Sequence, residues 1–187
     1  MQTIEKQIET SEYTVEEVAN YFIEKGIEEN NPVNPMKLQK LLYFAYGWYL
    51  VYFEGKKLFN QTIQAWRYGP VVESIYHEVK SYGNYPITSP ITSFLFGSTS
   101  VIGIKWHTPK IKFKDKDDEE FLDTIWKVYS KFSALQLSTM THADNTPWKK
   151  VAEKYENTIP NNAVLEDSLI KECFESYKKA NEVQGNS

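Results

Sequence analysis

The residues best suited to acid–base chemistry lie in the stretch MTHADNTPW, where His142 is followed closely by Asp144. A histidine paired with an aspartate can move protons if a nucleophile lies within hydrogen-bond reach. The sequence supplies no such nucleophile, and the stretch also fits a histidine that hydrogen-bonds a tight turn while Trp148 anchors the next helix. A hydrolase that uses His142 therefore stays open beside this structural role.

Metal and cofactor chemistry finds little support in the sequence. The three histidines, His77, His107 and His142, are widely separated, and no pair of them has a zinc-ligand spacing. There is no phosphate loop, no dinucleotide glycine fingerprint and no nucleophile elbow. We expect no metal and no cofactor, and we interpret the lone Cys173 as an inert, half-buried thiol.

A single arginine, Arg67, stands among twenty lysines, between Trp66 and Tyr68 and directly before a Gly-Pro pair. A guanidinium can stack on an aromatic ring or pair with a carboxylate and so fix a local turn. Arginine, tryptophan and tyrosine are also the side chains that most often anchor protein interfaces. Both interpretations of this triplet remain open.

A second polar group opens the apolar stretch NPMKLQKLLYFAYGWYLVYF. Asn34 can cap a helix there, Pro35 suits the first helical position, and the run from Leu38 to Phe53 is apolar on almost every side. This pattern predicts a central, buried helix. Its first turn carries Lys37, Gln39 and Lys40, which form either a solvated helix start or part of a binding surface.

The remaining elements follow from caps and periodicity. Thr14 and Glu17 form a capping box that starts a first helix. The apolar runs 58–59 and 63–68, separated by a turn at 60–62, predict a short β-hairpin. Pro70 is expected at the first position of a third helix that ends at Gly83, and further helices are predicted over 117–132, 133–140, from Pro147 and over about 166–180.

The fold class expected from these elements is mainly α (α+β), a single globular helical domain with a small β-hairpin or short sheet. Residues 1–12 are predicted to be a flexible extension, 13–182 the domain, and 183–187 a flexible tail. An excursion at about 84–116, rich in Ser, Thr and Pro, is long for a loop and is predicted to be partly ordered, with one or two short strands.

Composition limits the classes of function. A net charge of −4 over 187 residues argues against a protein held mainly by phosphates, although a local basic patch is compatible with it. No stretch is apolar enough to span a membrane, and no signal peptide precedes the domain, so we expect a cytoplasmic protein without a membrane partner.

Three phrases of the sequence together resemble one known family. They are MKLQKLLYFAYGWYL, LFNQTIQAWRYGPVVESIYHEVKSYG and LSTMTHADNTPW, and they occur in the order of the motifs of the Panacea antitoxin domain. That domain is found in SocA-like antitoxins and in phage-associated GepA-like proteins. The resemblance covers about residues 15–155, whereas the excursion carries none of these phrases.

The resemblance implies a helical domain without enzymatic activity that acts as the antitoxin of a two-gene pair. Its partner would be a protein toxin encoded by the adjacent gene and neutralised by direct binding. We expect the polar residues of the shared motifs to flank the binding surface, while the excursion tunes partner choice. These partner-binding candidates are Lys37, Gln39, Lys40, Trp66, Arg67 and Tyr68. The other motif residues are expected to be structural, namely Gly69, Pro70, Thr141, His142, Pro147 and Trp148.

Other functions remain alternatives to a toxin-neutralising protein. The phage-associated side of the family leaves open an accessory or regulatory binding protein with an unrelated partner. A nucleic-acid regulator would use Lys37, Lys40, Lys56, Lys57 and the lysines of KIKFKDK, but the acidic total weighs against it. The sequence leaves the oligomeric state undecided, including a homo-oligomer.

Overall fold

The structure, a computed structural model, describes residues 12–96, 104–160 and 162–185. Within these ranges seven α-helices and two separate two-stranded antiparallel sheets surround one hydrophobic core, so the fold is mainly α, as the sequence predicts. The helices are α1 (Val15–Glu28), α2 (Pro35–Tyr52), α3 (Glu73–Val79), α4 (Lys116–Tyr129), α5 (Ala134–Thr141), α6 (Pro147–Lys154) and α7 (Asp167–Gly185). The strands are β1 (Gln64–Trp66), β2 (Gly69–Val71), β3 (Ser93–Phe96) and β4 (Ile104–His107).

Helix α2 forms the centre of the molecule, as its all-round apolar sequence predicts. The side chain of Asn34 accepts a hydrogen bond from the backbone N–H of Lys37 at 2.9 Å, and Pro35 occupies the start of the helix. The elements that pack against α2 are α1, α3, α4, α5, α7 and β2. Side chains on every face of α2 can therefore reach a different neighbouring element.

The predicted starts of α1 and α6 are confirmed by their caps. In α1 the hydroxyl of Thr14 accepts from the backbone N–H of Glu17 at 3.2 Å, and the Glu17 carboxylate accepts from the N–H of Thr14 at 2.9 Å. In α6 the hydroxyl of Thr146 caps the helix and Pro147 takes its first position. Helix α7 extends to Gly185, beyond the end predicted near residue 180. The predicted N-terminal extension lies outside the described residues except for Glu12.

A β-hairpin is present, but the predicted placement of its strands and turn is wrong. Strand β1 pairs with β2, with Gln64 opposite Val71, and the chain turns at Arg67 and Tyr68 rather than at residues 60–62. The segment 58–59 forms no strand. Its predicted partner is already paired elsewhere, because backbone groups of Ile63 and Ala65 bond to residues 163–165 at 2.7–2.8 Å.

The helix start predicted at Pro70 is also wrong. Pro70 lies in β2 opposite Ala65, and α3 begins at Glu73. Proline suits the edge of a two-stranded sheet because it has no N–H to leave unpaired. Val72 stays extended between strand and helix, since Gln39 on α2 binds both its N–H and its carbonyl oxygen.

The excursion 84–116 contains two short strands, where the sequence predicts one or two. Strands β3 and β4 pair in antiparallel register, with Ser93 opposite His107, and the residues between them lie outside the described ranges. Asn20 on α1 holds both bases of this hairpin. Its side chain donates to the carbonyl oxygens of Ile91 at 2.9 Å and Pro109 at 2.7 Å and accepts from the N–H of Ile91 at 2.7 Å.

Candidate partner-binding site

Arg67 and Tyr68 form the tip of the β1–β2 hairpin, and both side chains are exposed. Tyr68 keeps 61% of its surface accessible, and the Arg67 guanidinium carbon lies 5.5 Å from the centre of the Tyr68 ring. A cation over an aromatic face is weakly attractive at an exposed site, and it restricts both side chains. The hairpin tip therefore presents a planar donor fork beside an aromatic ring.

Side chains from α5 and α6 and the α5–α6 turn reach the backbone of this tip from one side. The indole N–H of Trp148 donates to the carbonyl oxygen of Trp66 at 2.7 Å, and the hydroxyl of Ser138 donates to that of Tyr68 at 3.0 Å. Between them, Nε2 of His142 lies 3.4 Å from the carbonyl oxygen of Arg67. These contacts use the backbone of the tip and leave its side chains facing outward.

Helix α2 holds the second strand in the same way. The ammonium of Lys40 donates to the carbonyl oxygen of Pro70 at 3.0 Å. The amide of Gln39 donates to the carbonyl oxygen of Val72 at 3.3 Å and accepts from its N–H at 2.7 Å. Hydrogen bonds from side chains thus fix the hairpin from α2 as well as from the α5–α6 side, and the tip backbone has little freedom to move.

Gly69 is required between these two sets of contacts. Its φ of 102° lies in the region that side-chain-bearing residues rarely adopt. A Cβ at this position would lie 2.6 Å from Nζ of Lys40 and 2.6 Å from Oγ1 of Thr141. The turn and the close approach of Lys40 and Thr141 both explain a glycine in this motif.

A pocket of about 470 Å³ opens beside the tip, between the start of α2, the β1–β2 hairpin and α3 with the 3₁₀ turn Lys80–Tyr82. We call it the tip pocket. Its cationic lining residues are Lys40, Arg67 and Lys80, and its aromatic ones are Trp66, Tyr68 and Tyr76. Five of the six predicted partner-binding residues line it, namely Gln39, Lys40, Trp66, Arg67 and Tyr68. Their role in binding stays a prediction.

Lys37, the sixth candidate, points elsewhere. Its ammonium donates to the carbonyl oxygen of Ser130, the residue that ends α4, at 2.7 Å and to Oδ1 of Asn31 at 3.2 Å. The residue is 7% exposed, and burial lowers the pKa of its ammonium. A lysine at the last carbonyls of a helix is favoured by the helix dipole, so this contact ties α2 to α4.

Lys40 is the most deeply buried cation of the site. It is 1% exposed, and burial lowers the pKa of its ammonium to about 7. Within the described part of the chain no carboxylate lies within ion-pair distance of its ammonium. Burial of an ammonium without a counter-charge lowers the stability of the fold. The hydrogen bond from Lys40 to the Pro70 carbonyl oxygen only partly offsets that loss.

His142 and Asp144 are not brought together as an acid–base pair. Nδ1 of His142 lies 2.6 Å from the carbonyl oxygen of Ser138, so this nitrogen carries the donated proton, and the ring lies 3.8 Å from that of Trp148 between centres. Asp144 is exposed, and no hydrogen bond found among the described residues joins it to His142. Thr141 is buried and donates to the same Ser138 carbonyl at 2.7 Å.

Other reactive groups in the described ranges offer little chemistry. Cys173 is buried, and that burial raises the pKa of its thiol, which makes it a poor nucleophile. The same ranges hold no group of three or more His, Cys, Asp and Glu side chains that could bind a metal ion. Among the helices described, none combines the length and the apolar character needed to cross a bilayer.

Sequence reasoning missed three residues of the site. Ser138 lies in the phrase LSTMTH but was not recognised as a donor to the tip. The sequence predicts Tyr76 and Lys80 only as parts of a helix, although their spacing of four residues places them on one side of it. That shared side is the signal that a site includes both residues. Its meaning depends on the fold, which brings the hairpin tip next to this side.

A family model described as "Antitoxin SocA-like, Panacea domain" matches residues 38–149, a range that includes the hairpin and most of the residues that hold it. The match places the chain in the class of antitoxin proteins. Within that class, it belongs to the family of SocA-like antitoxins with a Panacea domain, which confirms the resemblance found in the sequence.

A curated relative supports the same assignment. The protein named Antitoxin SocA, from Caulobacter vibrioides (strain NA1000 / CB15N), is 30% identical over 162 residues, which make up 86% of this chain and 82% of the relative. No solved structure gives a significant match. Family membership supports an antitoxin role for the chain and, with it, a toxin as a partner in general.

Proposed function

We propose that this protein is a cytoplasmic antitoxin that neutralises the toxin encoded by the neighbouring gene, by binding it directly through the hairpin tip and the tip pocket. The observation that carries this proposal is the exposed pair Arg67 and Tyr68 on a backbone that is held from two sides. Family membership supplies the class of partner.

The hairpin tip is suited to binding because its backbone is already ordered before a partner arrives. Association costs the freedom of every side chain and loop that becomes ordered, and a backbone that is already fixed avoids much of that cost. Arginine, tyrosine and tryptophan are the residue types that most often dominate binding energy, and Trp66, Arg67 and Tyr68 are adjacent here. A complex that buries at least about 1,000 Å² around them would cover a toxic surface without any chemical step.

We propose that the protein binds its toxin and does not catalyse a reaction. A general base needs a nitrogen free to reach a substrate or a nucleophile. In His142, Nδ1 donates to the Ser138 carbonyl oxygen, and the Arg67 carbonyl oxygen lies 3.4 Å from Nε2, the nitrogen whose lone pair a general base would use. These contacts favour a structural His142 over the hydrolase alternative.

Most of the lysines that a nucleic-acid-binding protein would need here are buried or paired with carboxylates. Lys37 and Lys40 are buried, so neither can contact a phosphate backbone from the surface. Lys57 pairs with Asp167 at 2.7 Å, and Lys110 pairs with Glu24 at 3.7 Å. These residues therefore do not form the continuous basic face that phosphate binding requires.

The excursion is proposed to tune which toxin is bound. Gly83 and Asn84, where the excursion begins, line the tip pocket, so the start of the segment lies at the proposed surface. Asn20 fixes both bases of the β3–β4 hairpin to α1. Changes within the hairpin would therefore alter the contacts made with a partner without moving the core.

The test is co-expression of this chain with the neighbouring gene product, scored by growth and by co-purification. The wild-type chain should relieve growth arrest and form a stable complex, whose measured mass also gives the stoichiometry and any self-association. The double variant Arg67→Ala, Tyr68→Ala should fold normally but bind at least about 30-fold more weakly.

A matched control lies elsewhere on the molecule. Lys178 lies over the ring of Tyr52 at 4.9 Å, a cation and aromatic pair like that of the tip. The double variant Lys178→Ala, Tyr52→Ala should bind and neutralise like the wild type. Equal binding by both double variants would place the interface away from the tip, and a wild-type chain that neither binds nor neutralises would refute neutralisation of this toxin by direct binding.

A further inference from the structure

The tip pocket has a charge opposite to that of the whole chain. The protein carries 25 acidic residues and a net charge of −4. Among the described residues that line the tip pocket, Arg67, Lys80 and the buried Lys40 are basic, and none is a carboxylate. A local reversal of charge in a concave site favours a partner group of the opposite sign.

The acidic side chain at the start of α3 is held away from the pocket. The Glu73 carboxylate accepts from the amide of Gln64 at 3.0 Å and lies 3.7 Å from Nε2 of His77. Gln64 in turn accepts from the indole N–H of Trp66 at 2.8 Å. These contacts engage Glu73 and leave the pocket cations without an internal carboxylate partner from this helix turn.

The walls of the pocket are aromatic and apolar. Trp66 packs edge-on against Tyr76, with 4.9 Å between ring centres, and Met36 and Val71 add aliphatic surface. At about 470 Å³ the space is within the range of sites that take a ligand larger than a single side chain. The expected occupant therefore combines a carboxylate with neighbouring apolar groups.

We propose that the tip pocket receives an acidic segment of the toxin, with an aspartate or glutamate carboxylate directed at Arg67 and Lys80 and its apolar neighbours against Trp66 and Tyr76. This inference rests on the proposed function and specifies the chemistry of the partner. Arg67 offers a fork of donors that matches a carboxylate. Lys80 offers a point charge in the same lining, and its ammonium also lies 3.2 Å from Nδ1 of His77, a neutral neighbour that leaves its other donors available to a carboxylate.

Charge reversal tests the proposal in the complex with the neighbouring gene product. The variant Arg67→Glu, Lys80→Glu should lose at least about 30-fold in affinity, since both cations then repel the carboxylate. The control Lys127→Glu, Lys179→Glu makes the same change in net charge at exposed positions outside the pocket and should bind like the wild type. Circular dichroism of each variant checks that it is folded.

Carbodiimide cross-linking locates the carboxylate directly. The reagent adds to accessible carboxylates, and an amine in contact with an activated carboxylate then attacks it, which forms an amide and releases the reagent as a urea. In the wild-type complex we expect a cross-link from Lys80 to an aspartate or glutamate of the toxin. The variant Lys80→Arg keeps the charge but cannot form this amide, so it should bind and lose that cross-link.

A charge exchange completes the test. Replacing the cross-linked toxin residue by lysine should restore binding to Arg67→Glu, Lys80→Glu and weaken binding to the wild type. A reversal variant that binds like the wild type would overturn the proposal while the proposed function stands. Absence of any wild-type complex would instead defeat the proposed function. Loss of single-stranded RNA binding in the reversal variant, with toxin binding intact, would assign the pocket to nucleic acid and also overturn the proposal.

Discussion

The two β-hairpins of this protein are built in opposite ways. In β1–β2 the strand residues are largely buried, and side chains from α2, α5 and α6 bind the backbone. In β3–β4 the described side chains Ser93, Trp106 and His107 are exposed, and Asn20 holds only the two bases. The first hairpin is thus part of the scaffold, and the second is an attachment to it.

The difference indicates how a fixed scaffold can be combined with an adjustable surface. A hairpin whose backbone is bonded to several helices cannot change shape without loss of stability. A hairpin that is held at its bases and whose described side chains are exposed can vary at little cost to the core, as surface loops commonly do. Four predictions test this contrast, beginning with the largest expected effect.

Gly69→Ala should destabilise the protein by more than about 3 kcal/mol, because the new Cβ meets Lys40 and Thr141 at a positive φ. Gly83→Ala is the matched control, since its φ is 57° and nothing lies within 4 Å of the added Cβ. It should cost less than Gly69→Ala, about 1 to 3 kcal/mol, because only backbone strain and no close contact opposes it. Denaturant unfolding measures both, and equal losses would show that the close packing at Gly69 is unimportant.

Stability should rise with pH above neutrality because of Lys40. Its ammonium has a pKa of about 7 in the folded state, below its ordinary value, so the unfolded chain binds more protons between about pH 7 and 10. The free energy of unfolding should therefore gain about 2 to 3 kcal/mol between pH 7 and 9.5, relative to the variant Lys40→Met.

The comparison with Lys40→Met is needed because other groups make the free energy of unfolding fall as pH rises. Burial raises the pKa of the Cys173 thiol and, with a hydrogen bond to Asp118, that of the Tyr49 phenol. Such groups lower stability as pH rises through the ordinary pKa of a thiol or a phenol. Parallel pH profiles for wild type and Lys40→Met, measured by denaturant unfolding, would contradict the assigned role of Lys40.

Asn20→Ala should cost about 2 kcal/mol, because it leaves polar backbone groups of Ile91 and Pro109 without their partner. The loss should be local. Limited proteolysis should cut the excursion faster, while protection around the β1–β2 hairpin stays unchanged. Faster cleavage in both hairpins would mean that the second hairpin also supports the core.

Trp106→Ser should have the smallest effect on folding. Trp106 is 66% exposed in β4, so its replacement should change stability by less than about 1 kcal/mol. If the excursion tunes partner choice, the same variant should alter which toxins are neutralised in a panel of related pairs. Unchanged neutralisation of every toxin would count against that role.

The sequence predicted the elements better than their assembly. The caps at Thr14 and Asn34, the proline at 147 and the apolar sides of α2 are local signals, so they predict these helices close to their observed positions. The hairpin was misplaced because its strands depend on partners distant in sequence. Ala65 bonds to Ala163, and no short-range pattern reveals that pairing.

The candidate site likewise depends on contacts between residues that are far apart in the sequence. The motif residues Gln39, Lys40, Ser138 and Trp148 are spread over more than half of the family match, and only the fold brings them to one backbone segment. Lys37 has the same residue type as Lys40 and lies in the same helical turn. Their spacing of three residues corresponds to about 300° around the helix, so the two side chains point in different directions and Lys37 reaches the end of α4 instead. A binding-surface interpretation of the sequence could not distinguish the two lysines.

The hydrogen bonds that Ser138 and Trp148 donate to the hairpin tip end on main-chain oxygen atoms, which every amino acid possesses. The identities of the side chains at positions 67 and 68 are therefore nearly independent of folding. If the tip binds the toxin as proposed, mutation could replace both residues and change the recognised toxin while the protein keeps its structure. In protein engineering, libraries randomised at these two codons should remain mostly folded, which makes this hairpin a suitable place to search for binding to a new target.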